Sequence, residues 1–306
     1  MARVGRFQSS FFKEKQFPML LFEQILNGLL VGTYYTLLAL GLSIIFSLGG
    51  LVNLAHGAFY AVGAYLIVFL SELIGFPVAF VVTPILVGMI GIIVETFFLR
   101  RLYTKDPILT LLFTFGLAMS AEQVLRLSFG ASGIPFSIPE FLSGQLHLGS
   151  FIYSYYRLAI LAVTTVSIGG LWLLFNKTSF GLIMRAGVAD SEMVRAMGIS
   201  IKPILSLVFA IGVGLAAVAG SMSASLTGVE PAMGNDIVTA AFVICVLGGL
   251  GSFWGVIFAG LLVGVLKGVT ALYIPPAAEG SIYALMVLVL IFRPRGMFGI
   301  RFDRLE

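Results

Sequence analysis

An all-α polytopic bundle of eight to ten transmembrane helices is the fold class this sequence predicts, and three observations carry it. Hydrophobic residues make up 59% of the 306 residues, charged residues 10%, and mean hydropathy is +1.08. Soluble domains use roughly 45–50% apolar and 25% charged residues. The apolar stretches are also long, reaching the about 20 residues a helix needs to cross hydrocarbon. Finally, they are continuous, where a membrane barrel would alternate in short segments. In lipid every backbone amide must be satisfied within its own segment, so the runs are helices.

The spans read from the pattern are 19–46, 77–99, 107–127, 152–175, 203–227 and an interrupted stretch 237–292, with a second interrupted region at 36–72. The interruptions are Leu48-Gly49-Gly50-Leu51, followed by Asn53, His56 and Gly57, and Leu247-Gly248-Gly249-Leu250, followed by Gly251, Ser252 and Gly255. One tetrapeptide occurs twice, a hint of an internal repeat that the following residues do not extend. Two crossings in each broken region give ten spans; re-entrant segments give eight.

Lysine and arginine set orientation. Segments 1–17 (Arg3, Arg6, Lys13, Lys15), 100–106 (Arg100, Arg101, Lys105), 176–202 (Lys177, Arg185, Arg195, Lys202) and 293–306 (Arg293, Arg295, Arg301, Arg304) hold 15 of the 18 basic residues. Segments 128–151, 228–236 and 274–280 hold none. Both termini are therefore expected in the cytoplasm: an N-terminal segment 1–17, a membrane domain 18–292 and a tail 293–306. The first apolar run lacks a small-residue cleavage site, so it reads as a retained helix. The basic residues cluster where helices emerge, which is an orientation signature and excludes a nucleic-acid stripe.

Small residues recur at spacing four: Gly28 and Gly32; Gly212, Ala216 and Gly220; Gly260, Gly264 and Gly268. Such faces let helix backbones approach closely where lipid supplies no hydrophobic drive for pairing. Packing within one chain and a dimer face are both open.

The longest basic loop, 176–202, carries its own helix signals. Asp190 can cap a helix, Glu192 and Arg195 complement its two ends, and Gly198 can stop it, giving about two turns. Met193, Ala196 and Met197 fall at i, i+3 and i+4 and form an apolar patch among charges. A patch of this kind can lie on its own bundle, on the bilayer surface or in a groove of another protein.

Several chemistries are excluded. No Gly-x-x-x-x-Gly-Lys-Ser/Thr loop exists to cradle phosphates, and Gly264 to Gly268 fails the spacing. His56 and His147 are the only histidines, and no Gly-x-Ser-x-Gly elbow occurs, so no enzyme activity is expected. The single cysteine, Cys245, permits no intramolecular disulfide and no cysteine-based metal site. No metal or cofactor is expected.

Ionisable residues at membrane depth are functional candidates. Glu95 sits near Arg100 and Arg101 at an interface, Glu122 and Arg126 can pair four apart, and Lys267 can snorkel. Asn53, His56 and Gly57 lie in a glycine-rich break, where non-helical backbone is tolerated only against protein or a cavity. They either satisfy that backbone or line a solute path.

Four passages together resemble the branched-chain amino acid permease family of ATP-binding-cassette importers, the LivH-like subunit. They are Asn27-Gly28 through Gly41-Leu42, Gly50-Leu51-Val52-Asn53-Leu54-Ala55-His56-Gly57, Arg185-Ala186 through Ala196-Met197-Gly198-Ile199, and Phe292-Arg293-Pro294-Arg295-Gly296. The resemblance runs from about residue 20 to the end. It implies an importer subunit in the bacterial inner membrane, moving branched-chain or other hydrophobic amino acids. It also implies a second permease, two ATP-binding subunits and a periplasmic or lipid-anchored solute-binding protein as partners. Loop 176–202 would be the coupling segment to the ATPase, through Arg185, Ala186, Asp190, Met193, Arg195, Ala196 and Gly198. Only the Ala196-Met197-Gly198 end matches the general importer loop. Relatives handle urea, short amides or aromatic acids; a gradient-driven carrier or pore is the alternative from another class, supported by the paired glycine breaks.

Overall fold

A computed structural model describes the backbone of residues 2–103, 105–148 and 151–299, and side chains from Leu20 onward except at 148, 151 and 152. The side chains of Arg3, Arg6, Lys13 and Lys15, and tail residues Arg301 and Arg304, lie outside the described residues. The order of elements is α1 (Ala2–Gly49), α2 (His56–Ile74), α3 (Phe76–Phe97), α4 (Pro107–Phe129), β1 (Gln145–Leu148), β2 (Phe151–Ser154), α5 (Tyr155–Lys177), α6 (Ser179–Ala189), α7 (Ser191–Ala196), α8 (Lys202–Thr227), α9 (Met233–Gly248), α10 (Phe253–Tyr273) and α11 (Ala278–Phe292).

Among the described residues, eight helices are long and apolar enough to cross a membrane: Leu20–Gly49 of α1, then α2, α3, α4, α5, α8, α10 and α11. The protein is thus a multi-pass helical bundle. Helix α9 is apolar but has 16 residues, a rise of about 24 Å against a hydrocarbon thickness of about 30 Å. Local chemistry sets the ends. Asp106 caps α4 by accepting from Ile108 N at 2.9 Å, with Pro107 at the first position. Ser252 caps α10 through Gly255 N at 3.1 Å. The antiparallel hairpin β1–β2, registered Gln145 against Ser154, replaces the first residues of the span expected from 152.

Both Leu-Gly-Gly-Leu breaks lie at the same end of the bundle. Each ends a helix on a glycine that only a residue without Cβ adopts readily: Gly50 at φ +65° and Gly249 at φ +96°. A Cβ built on Gly251 would lie 3.2 Å from Ser47 Oγ, so the two breaks are neighbours. This end also gathers three of the four basic segments, 100–106, 176–202 and the start of 293–306. Leu48 lies against Gly187, Gly49 against Tyr103, and Met297 and Phe298 donate to Leu247 and Gly248 carbonyls at 2.7 and 3.1 Å. At the other end the chain segments free of basic residues meet: Ile134 and Val229 exchange backbone bonds of 2.8 and 3.0 Å, and Phe76 packs on Phe136 and Phe141.

Helix α1 is the spine. It packs most extensively on α10, antiparallel, with Gln24 against Gly268, Gly28 against Gly264 and Gly32 against Gly260. Leu37, Leu38, Ala39 and Leu40 are fully buried in consecutive positions, so α1 is enclosed all round by α8, α9 and α10 rather than amphipathic. Its single pass carries the chain from the far end to the basic end. Residue 20 and Arg293 consequently lie at opposite ends of the bundle, where the basic clusters led us to expect the same side. The reason is that residues 2–49 form one uninterrupted helix, which leaves no turn to bring the basic N-terminal segment back.

Candidate translocation face and coupling segment

Segment 176–202 folds as two helices at the basic end. The short helix α7 follows the expected chemistry: Asp190 Oδ1 accepts from the backbone amides of Glu192 and Met193, both at 2.9 Å. Gly198, at φ +83°, ends the turn. Helix α6 before it was not foreseen. Thr178 caps it through Gly181 N at 3.3 Å, and Gly181 sits directly under the Phe175 carbonyl, where a Cβ would lie 2.0 Å away. Arg185 donates to that same carbonyl. Val194 is the buried anchor of α7, while Met193 and Met197 are 60% and 72% exposed. Arg185, Ala186, Asp190, Arg195, Ala196 and Gly198 are exposed as well. The result is an apolar patch flanked by arginines, projecting from the bundle.

Asn53, His56 and Gly57 are all buried. Asn53 Oδ1 accepts from Ala55 N at 3.1 Å, closing the turn between α1 and α2, and Leu54 N donates to Thr114 Oγ1 at 3.2 Å. His56 Nε2 lies 3.0 Å from the Leu38 carbonyl. A carbonyl only accepts, so Nε2 carries the ring proton. Asn53 and Thr114 thus satisfy two amides of the broken backbone, while Asn53 Nδ2 and His56 Nδ1 are buried without a partner. Gly57 lets α2 cross α9 at Gly234, where a Cβ would lie 2.0 Å from the Gly234 oxygen. Among the spaced glycines, Gly28, Gly32, Gly260 and Gly264 join α1 to α10; Gly212 meets Gly41 and Ile45, and Gly220 meets the Tyr60 carbonyl. All of these contacts are within the chain.

The four ionisable candidates named from the sequence, Glu95, Glu122, Arg126 and Lys267, are paired. Glu95 is fully buried and bonded to Arg100 at 2.8 Å, and the Ser206 hydroxyl donates to it at 2.5 Å, tying α3 to the start of α8. Burial and the Glu95 carboxylate push the neighbouring Tyr103 phenol above its ordinary range, so it stays neutral. Lys267 bonds Tyr35 OH at 3.0 Å and Glu279 at 2.5 Å instead of only snorkelling. Arg126 bonds Glu122 through Nε and Nη2 at 3.0 and 2.7 Å, and Asn235 Nδ2 donates to the other Glu122 oxygen at 2.6 Å.

That last contact locates a polar surface the sequence reading missed. On α9, Asn235, Asp236 and Thr239 are exposed while Ile237, Val238, Ala240 and Ala241 are buried. The same side continues toward the basic end as a small apolar indentation lined by Leu51, Val52, Phe242 and Leu250. Polar groups exposed at membrane depth are costly against lipid. This face of α4, α9 and the loop 50–55 thus carries exposed polar groups at the start of α9 and an apolar indentation toward the basic end. The available sequence signal was Asn235 and Thr239 at i, i+4.

Fold and surfaces together define a polytopic membrane transport subunit. Comparison with known proteins narrows this: residues 24–291 match the family described as "Branched-chain amino acid transport system / permease component", and the chain belongs to that family. It is 30% identical to the high-affinity branched-chain amino acid transport permease BraD of Pseudomonas aeruginosa, over 90% of this chain and 95% of BraD. It is 26% identical to LivH of Escherichia coli K12 over 90% and 95%, and 27% identical to LivM of the same organism over 86% and 67%. Among solved structures, PsaBC from Streptococcus pneumoniae in complex with Fab has a TM-score of 0.50 at 14% identity, covering 87% of this chain and 89% of that one, a likeness of fold alone.

Proposed function

We propose that this permease is the membrane-spanning half of an ATP-driven importer in a bacterial inner membrane, passing branched-chain amino acids handed over by an external binding protein. The observation that carries this reading is the α6–α7 protrusion. Its two exposed methionines between arginines suit a groove on an ATP-hydrolysing partner, and Val194 roots it in the bundle. The translocation path then runs along the α4–α9 face, covered by a second permease chain. Residues 53, 56 and 57 support the wall of this path from behind. BraD, LivH and LivM are named as branched-chain amino acid permeases, which supports the substrate class. Uptake of leucine into vesicles holding the assembled transporter should require ATP and the partner ATPases; uptake driven by an ion gradient without ATP would refute the importer in favour of a carrier.

With the basic end in the cytoplasm, the start of the first span faces outside, and this replaces the expectation of both termini inside. An epitope inserted before residue 20 should be reached by impermeant antibody in intact spheroplasts, while one after Arg293 should need permeabilisation. The reverse labelling, or protection of both, would sink this orientation.

A further inference from the structure

Resting on the reading that the α6–α7 protrusion docks on an ATP-hydrolysing partner, we propose that Glu95 is a positioning residue for transport. It ties the first turns of α8 to the end of α3, so that the protrusion and this helix pair move as one body.

The protrusion joins two spans that are held unequally. In α8, 56% of the apolar stretch is buried, against 17% in α5, so a push on the segment is resisted, and passed on, by α8. The link to α8 is short. Ile199 N donates to the Val194 carbonyl at 3.3 Å, Ile201 is buried, and Leu205 N donates to the Ile201 carbonyl at 2.9 Å. Helix α8 then runs antiparallel along α3 in a close seam. A Cβ on Gly214 would lie 3.4 Å from the Pro84 carbonyl oxygen, one on Gly88 3.3 Å from the Ala210 oxygen, and one on Gly91 2.5 Å from Val213 Cγ2. Glu95 and Ser206 form the last rung of this seam, on the side of the protrusion.

Chemistry sets this rung apart. The other rungs are made by glycines, whereas Glu95 is fully buried and accepts from Arg100 Nη2 at 2.8 Å, Arg100 Nε at 3.3 Å and the Ser206 hydroxyl at 2.5 Å. Arg100 belongs to the turn Leu99–Arg101 that follows α3, so one carboxylate joins α3, that turn and α8. Apolar side chains of similar volume often fill such a place as stably as a buried ion pair, and stability alone does not ask for it. Directional bonds fix what apolar packing leaves free, the sliding and rotation of α8 along α3. Ser206 lies one turn beyond Lys202, where α8 begins, next to the 197–201 turn where bending would otherwise absorb the displacement. The Tyr103 ring sits against Gly49, which puts the break between α1 and α2 within reach of the same knot.

The test uses the assembled transporter in lipid vesicles and reads leucine moved per ATP hydrolysed, with melting measured alongside. In Glu95→Met/Arg100→Met, apolar side chains of similar length replace the ion pair. This variant should melt close to the parent, and the partner subunits should continue to hydrolyse ATP. Leucine moved per ATP should fall by about tenfold, within the range by which residues lying between two sites alter their coupling. Ser206→Ala leaves the ion pair intact and removes only its hold on α8; it should lower the ratio by a few fold. A purely structural role lowers uptake and hydrolysis together, in step with the amount of assembled protein, and leaves their ratio at the parental value. That result in either variant overturns the proposal. Should the double variant fail to assemble, Ser206→Ala carries the decision. Absence of ATP-dependent uptake in the parent refutes the proposed function, whereas a coupled parent with an unchanged ratio in Ser206→Ala refutes only the role of Glu95.

Discussion

Gly264→Leu should prevent the bundle from assembling, with little folded protein recovered in detergent. A Cβ at this position would lie 2.3 Å from the Gly28 carbonyl oxygen and 2.4 Å from both Cα and N of Gly32. All three are backbone atoms of α1, so no rotamer change relieves the clash, and α1 and α10 must move apart along their shared face. Overpacking of ordinary cores costs about 1–3 kcal/mol where side chains can yield; here none can. In a bilayer the loss is compounded, since close packing itself holds the helices together. The control is Gly116→Ala on α4, where a Cβ meets nothing within 4 Å. It should be neutral or stabilising by up to about 1 kcal/mol. Melting followed by size-exclusion chromatography distinguishes the two, and a Gly264→Leu protein that melts like its parent would refute this account of the α1–α10 contact.

The glycine rows at 28, 32, 260, 264 and 268 were legible because spacing four is a local property of a helix. That Gly28 meets Gly264 and not a second chain was not, because pairing joins segments some 230 residues apart. The same division runs through the molecule. Spans came out close to the pattern because hydrophobic length is written in consecutive residues: α4 begins at Pro107 and α8 at Lys202. The side each terminus faces is a matter of charge and not of hydrophobic length. Counting basic clusters treated residues 1–17 as a cytoplasmic segment, whereas one helix runs continuously from Ala2 through Gly49. Charge rules say nothing of how long a helix persists. In the candidate site, Asp190 and Gly198 were readable because caps act over three or four residues. Asn235 was not, since it is unremarkable in its own helix, and only the packing of α9 beside α4 brings it to Glu122. His56 was ambiguous from sequence because a histidine in a break can face a path or the chain; in the fold its Nε2 lies at the Leu38 carbonyl.

The second large effect falls on the coupling segment: Ala196→Glu should cut leucine uptake by about thirtyfold or more while membrane insertion and ATP hydrolysis by the partner subunits continue. Ala196 is exposed at the last residue of α7, beside Met193 and Met197. A carboxylate there sits at the negative end of a very short helix, a penalty of about 0.3–1 kcal/mol at an exposed site. That is too small to unfold a turn held by the double Asp190 cap and the buried Val194. If the patch seats in a partner's groove, the same carboxylate must be buried without a counter-charge. Leaving a buried charge unpaired at an interface costs about 2–5 kcal/mol, and each 1.4 kcal/mol is a factor of ten. The prediction therefore separates folding from coupling by size. The surrounding arginines sharpen it, because Arg185 is already engaged by the Phe175 carbonyl, leaving Arg195 as the near source of compensation. Arg195→Ala combined with Ala196→Glu should accordingly be worse than either alone. Coupled uptake at the parental rate in the Ala196→Glu transporter would show that this surface lies on lipid or solvent and that force reaches the bundle elsewhere.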